Sequence, residues 1–136
     1  MVAWLSAGRE TSVISHESAL AIHGISDIIP SSTHLTVPRN RRWYGGKANE
    51  TIHTVVEPLK DTEVVVRDGI RLTAPARSIV DAAEWGTSPE HIESAVRDAL
   101  RRGMTTRDRL LAAAADRSGE VRARIDRVLE RVFDEV

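Results

Sequence analysis

Cysteine is absent from the 136-residue chain. That excludes disulfides, thiolate zinc sites and cysteine nucleophiles, and it suits a reducing compartment. Lysine is nearly missing as well: of 19 basic residues only Lys47 and Lys60 are lysines, so the cationic chemistry rests on arginine. Arginine favours bidentate contacts over lysine-type catalysis, although a high-GC genome is the plainest origin of such a bias. Neither sign of charge dominates. The net charge of −1 gives no global attraction to nucleic acid, so any such binding needs a local patch. No stretch reaches the ~18 apolar residues of a membrane span, and the amino terminus lacks a signal peptide's charged region and long apolar core. The expectation is a cytoplasmic protein without membrane contact. Catalytic signatures are lacking too. There is no Gly-Ser turn with paired aspartates for two metals, no glycine-rich phosphate loop, no nucleophile elbow and no HExxH. Glu57 and Lys60 stand one residue too far apart for an acid-x-Lys pair. The chain therefore reads as a non-enzyme with no cofactor.

What is present is centred on Glu63 to Gly86, EVVVRDGIRLTAPARSIVDAAEWG. Val64 to Val66 is a β-branched run, Asp68-Gly69 suits the positive φ angles of a two-residue hairpin turn, and Ile70 to Leu72 returns as the partner strand. That turn sets Arg67 opposite Ile70 and Val65 opposite Leu72. Val65, Ile70 and Leu72 then share the core face, leaving Val64, Val66, Arg71 and Thr73 on the other. Thr73 is placed to cap a helix with Pro75 in its first turn, Ala76, Ile79, Val80 and Ala83 on one face, and Gly86 at its end.

Upstream, residues 1–12 read either as a natural start that packs on the core or as the stub of a linker from a preceding domain. Ser15 is the expected N-cap of a short helix closed by Gly24, with Ile25 folding back on its last turn. His16 and His23 share one face of that helix but lie two turns apart, roughly 10 Å, too far to hold a metal between them. With no third ligand at a recognisable spacing, no metal is expected. His16 reads as a helix-start residue and His23 as one favoured by the negative end of the dipole. His34 to Val37 is a short strand ended by Pro38. Next comes PRNRRWYGGK, in which Arg39, Arg41, Arg42 and Lys47 put four positive charges within nine residues, interleaved with Trp43 and Tyr44. This patch is suited to phosphates and to stacking on a base, and equally to a solvated hairpin loop that guards a sheet edge. Glu50 to Val56 resumes alternation, with Ile52 and Val55 or Val56 inward, and is expected to pair with the 34–37 strand across that loop. His34 and His53 read as strand residues with hydrogen-bond partners.

Beyond Gly86 the pattern is helical. Ser88-Pro89 opens a helix with the stripe Ile92, Ala95, Val96, Ala99 and Leu100, and Thr105 with Asp108 looks like a capping box for the next. The last helix carries Val121, Ile125, Val128, Leu129, Val132 and Phe133 on one face. Its other face alternates five arginines from Arg117 with five acids, a balance that argues against a DNA-reading surface. The expected fold is a single α+β domain over 1–136: a mostly antiparallel sheet of about four strands flanked by helices, with a helical carboxy-terminal half.

Four pieces in order, VISHESALAIHGISD, HLTVP with its basic run, VVVRDGIRLTAPARSIVDAA and VRDALRRGMTT, resemble the AbiEi family of abortive-infection antitoxins, in particular the carboxy-terminal part of the actinobacterial type. The resemblance runs from about Val13 to Leu111. It implies a bacterial antitoxin that counteracts a nucleotidyltransferase-type toxin in a toxin-antitoxin system of phage defence, by contact or by competition for the toxin's RNA target. In that family a DNA-binding winged helix precedes this part and represses the operon as a transcriptional regulator. The resemblance begins after that winged helix, so the chain is expected to be the separated carboxy-terminal domain; the alternative function is a nucleic-acid-binding accessory domain that strengthens operator binding through the 39–47 loop. Ser15, His16, His23 and Gly24 match the family's helix motif, and Thr73, Pro75, Arg77 and Asp81 its strand-to-helix motif; both sets read as mainly structural. Arg77 and Asp81 stand four apart, a pairing worth ~0.2–0.5 kcal/mol if exposed and more consequential if buried. The family's positive surface maps best onto Arg39, Arg41 and Arg42.

Overall fold

In a computed structural model of the chain, which describes residues 12–38 and 49–134, the Asp68-Gly69 turn takes φ values of 53° and 79°. Both central residues are left-handed, as a two-residue turn needs if its twist is to match that of its strands. Strands β4 (Val64–Arg67) and β5 (Ile70–Thr73) pair in the expected register, Val65 with Leu72 and Arg67 with Ile70. Val65 and Ile70 pack with the buried Leu72, while Val66 on the other face is largely exposed.

The rest of the sheet departs from a four-stranded antiparallel arrangement. Val13–Ile14 forms a two-residue strand, β1, between the two halves of the sheet. Ile14 pairs in parallel with Leu72 of β5, and both β1 residues pair antiparallel with Thr36 and Leu35 of β2 (Thr33–Pro38). Strand β3 (Glu50–Val55) lies parallel to β2, from Thr33 opposite Glu50 to Pro38 opposite Val55. Alternation marks a strand but not its direction. The eleven residues between Pro38 and Glu50 approach the length of a crossover connection, whereas an antiparallel pair needs only a tight turn. Among the described residues the sheet is thus five-stranded and mixed, in the order β3-β2-β1-β5-β4.

Among the described residues five α-helices accompany it: α1 (His16–His23), α2 (Pro75–Trp85), α3 (Pro89–Arg101), α4 (Arg107–Ala114) and α5 (Gly119–Asp134). Helix α1 ends as its sequence predicts. Gly24 sits at φ 72°, its N–H bonds to the Ala21 carbonyl and that of Ile25 to Leu20, so two otherwise orphaned carbonyls are satisfied and Ile25 is turned fully inward. Two caps fall one residue later than expected. Thr73 stays in the sheet and Ala74 takes the N-cap of α2, because the Thr73 hydroxyl bonds to Ser78 Oγ at 2.6 Å. At α4 it is Thr106, not Thr105, whose Oγ accepts the Arg109 N–H, while Thr105 is buried.

Helix α1 bridges two cores. Its Ala19 packs with Ile14, Leu35 and Leu72 of the sheet, and its Leu20 joins Ile25 and the apolar faces of the other four helices. The stripes of α3 and α5 are buried largely as read, from Ile92 to Ala99 and from Val121 to Val132. Phe133 falls at the margin, about half exposed, with the Arg107 guanidinium 5.7 Å from its ring centre.

Candidate functional site

One guanidinium-carboxylate network ties the sheet end of the molecule to its helical half. Asp81, on α2, has its side chain only 4 % exposed and takes two cations: Arg77 Nε at 3.3 Å and Arg117 Nη2 at 2.7 Å. Arg77 also reaches Glu63 Oε2 at 2.6 Å, in the 3₁₀ turn (Asp61–Glu63) before β4. Arg117, between α4 and α5, reaches Glu84 Oε1 at 3.2 Å. Burial pushes the Asp81 carboxyl up and the two guanidiniums oppose it. For Arg77, burial works against the charge, but Asp81 and Glu63 outweigh it and raise the pKa. Glu63 is disfavoured as an anion by burial, yet the Lys60 N–H and Arg77 more than compensate and its pKa falls. The sequence paired Arg77 with Asp81; it held no sign of Arg117, thirty-six residues further on.

Beside this network, three imidazoles converge. His16 opens α1, His34 lies on β2 and His53 on β3. In the parallel register His53 faces Thr36, two residues along the same strand face from His34, so His34 and His53 are diagonal neighbours. His34 Nδ1 and His53 Nε2 are 2.8 Å apart, and His16 stacks on His53 with ring centres separated by 3.6 Å. One nitrogen from each ring lies within 4.8 Å of the others. His16 achieves this from a left-handed backbone, φ 56°. Its Nδ1 is 2.7 Å from Ser15 Oγ, which in turn accepts the Thr36 hydroxyl at 2.7 Å. Trp85 stands edge-on to His34 and His53. Burial, aided by the neighbouring imidazoles, lowers His16 to about 2 and His53 to about 4, while for His34 burial outweighs the opposite pull of Glu17. All three rings are neutral at pH 7.

A cleft of about 730 Å³ opens onto both groups; His16 and His53 line it together with Arg77, Asp81 and Arg117, and Lys60 is also in its wall. The walls are predominantly polar. They can present hydrogen bonds, arginine charge and imidazole lone pairs to whatever enters.

The two family-motif sets meet directly. His23 Nε2 contacts the Thr73 carbonyl at 2.8 Å, which joins the end of α1 to the end of β5. The dipole role expected of His23 gives way to this contact, because burial lowers its pKa despite the carbonyl and leaves the ring neutral. Arg102 Nη1 donates to the neighbouring Gly24 carbonyl at 2.9 Å. Ser15 and His16 are drawn to β2 and β3, Pro75 holds the first turn of α2, and Arg77 with Asp81 lines the cleft. His34, His53 and Arg117 join them without having been singled out as a group. The basic-aromatic residues Arg39, Arg41, Arg42, Trp43, Tyr44 and Lys47 lie outside the described residues.

Among solved structures, the fold is similar to the crystal structure of RV2827C protein from Mycobacterium tuberculosis, with a TM-score of 0.65 at 17% sequence identity over 95% of this chain. The chain spans about half the length of that protein, 51%. No curated protein matches the sequence significantly. The family model of the AbiEi antitoxin C-terminal domain matches residues 12–131, and the chain belongs to that family. The matching model describes an antitoxin domain, and the family is regulatory rather than catalytic. No helix among the described residues is long and apolar enough to cross a membrane.

Proposed function

We propose that this domain counteracts a toxin of the nucleotidyltransferase type in the bacterial cytoplasm, either by touching the toxin or by competing for its RNA target. The observation that carries the reading is that the family match, residues 12–131, takes in the whole cleft and both core clusters except Val132, so the match extends over nearly all of the folded unit. A second reading rests on the 39–47 segment, which concentrates four cations in a chain of net charge −1. In it, Arg39, Arg41, Arg42 and Lys47 meet phosphates, Trp43 and Tyr44 stack on bases, and the domain assists a DNA-binding transcriptional regulator.

Growth rescue separates the two. The toxin gene that the first reading requires is induced with this 136-residue chain, or with the chain joined to an amino-terminal winged helix. The expected result is restored growth with the short chain alone. Rescue only by the longer form, with the short chain folded in the cell, contradicts the first reading and favours the second.

A further inference from the structure

Outside the guanidinium network, the histidine cluster carries the strongest chemistry among the described residues. We propose that His16, His34 and His53 form a binding site for a divalent transition metal of the zinc class, with the remaining coordination position facing the polar cleft. Three imidazoles delivered by a helix start and two neighbouring strands, with a nitrogen of each within 4.8 Å of the others, match the three-histidine sets that hold zinc through nitrogen and leave one position open. An all-imidazole set favours zinc, cobalt, nickel or copper over the oxygen-seeking magnesium and calcium.

Two of the rings have their other nitrogen beside a group that orients it. His16 shares its Nδ1 proton with Ser15 Oγ, which leaves the Nε2 lone pair for a metal. His34 Nε2 faces Glu17 Oε1 at 4.0 Å, and the Thr87 hydroxyl fixes that carboxylate at 2.5 Å. At that distance the carboxylate acts on His34 through its charge rather than through a hydrogen bond, and that charge favours a cation on the ring's far side. There His34 Nδ1 and His53 Nε2 face each other at 2.8 Å; both lone pairs become available to a metal when the proton between them moves to His53 Nδ1, the other tautomer of that neutral ring. Nitrogens around a tetrahedral zinc lie roughly 3.3 Å apart, so binding spreads the 2.8 Å His34-His53 pair slightly and fans the His16-His53 stack as it brings His16 to the same metal.

The backbone agrees. A non-glycine residue held at φ 56° carries backbone strain, and such strain clusters at ligand sites. Here it places the His16 ring over His53. The neutral state of all three imidazoles at pH 7 also leaves them ready to bind without first releasing a proton. Glu17 offsets part of the incoming charge, and Asp81 keeps Arg77 and Arg117 engaged elsewhere.

The test uses tag-free protein, stripped with a chelator and dialysed against micromolar zinc, with metal per chain read by elemental analysis. Cobalt absorbance provides the geometry. The expected result is one zinc per folded chain and a tetrahedral cobalt spectrum with nitrogen ligation. His53→Gln and His16→Gln, each confirmed folded by circular dichroism, should abolish both signals. Glu17→Gln, which removes a nearby negative charge, should weaken binding by less than about tenfold. His91→Gln, outside the cluster, should leave binding unchanged and serves as the control. Folded wild-type protein that retains no zinc, or cluster variants that bind as tightly as His91→Gln, would overturn the site.

Discussion

Asp81→Asn is expected to destabilise the protein by about 3 kcal/mol, at the lower end of the ~3–5 kcal/mol that follows from removing one partner of a buried ion pair. The substitution keeps the shape of the side chain and deletes only its charge, so lost packing does not contribute. What remains is two guanidiniums, Arg77 and Arg117, with side chains 18% and 14% exposed and their central counter-charge gone. Residual solvent contact and the outer partners Glu63 and Glu84 keep the effect from reaching the upper end. Glu84→Gln is the matched control. Its side chain is 51% exposed and meets Arg117 from outside, so its loss should cost less than ~1 kcal/mol. Urea unfolding decides the matter through the midpoint at constant m. A shift for Asp81→Asn no larger than that for Glu84→Gln would show that the network does not hold the α2, α4 and α5 segments together.

Acid lability in metal-free protein is the second large effect. Burial holds His23 below its usual range; the bond to the Thr73 carbonyl opposes this, and Arg67 and Arg102 add to it. The unfolded chain takes up a proton near pH 6.5 that the folded ring refuses. Stability from this group is therefore complete above about pH 7 and is lost as the pH falls below 6.5, with a slope approaching ~1.4 kcal/mol per pH unit. His16, His34 and His53, all lowered by burial, act in the same direction. Asp81, pushed up by burial, acts the opposite way once it titrates. Between pH 7.5 and 5 the urea midpoint should fall steadily. His23→Gln keeps an N–H for the Thr73 carbonyl and removes one titrating group, so its profile should be shallower. A wild-type midpoint that stays flat or rises on acidification contradicts the neutral, buried state of these rings.

Local chemistry made much of this fold legible. Asp68-Gly69 announced its turn and therefore its register, Gly24 with Ile25 announced the end of α1, and the stripes of α3 and α5 announced their buried faces. Strand β1 was hidden because two residues, Val13 and Ile14, offer no period to read. The direction of β3 was hidden because the spacing of Ile52 and Val55 is the same whichever way the strand runs. That second miss concealed the histidine cluster. Only a parallel β2-β3 pair sets His53 opposite Thr36 and diagonal to His34, and only the left-handed turn at His16 brings the third ring over it. Arg77 and Asp81 could be paired from their i, i+4 spacing, whereas Arg117 reaches them through the packing of α4 and α5 on α2, which no local pattern encodes.

The central claim is that this domain opposes nucleotide transfer by a partner toxin. The direct measurement is the transfer of labelled nucleotide onto RNA by the purified toxin, with the folded 136-residue chain added in increasing molar excess. Contact with the toxin and competition for its RNA predict the same outcome, a dose-dependent fall in labelled RNA, and extra RNA reverses the fall only if competition is responsible. Transfer that continues undiminished at large excess of folded domain would contradict the claim under either mechanism.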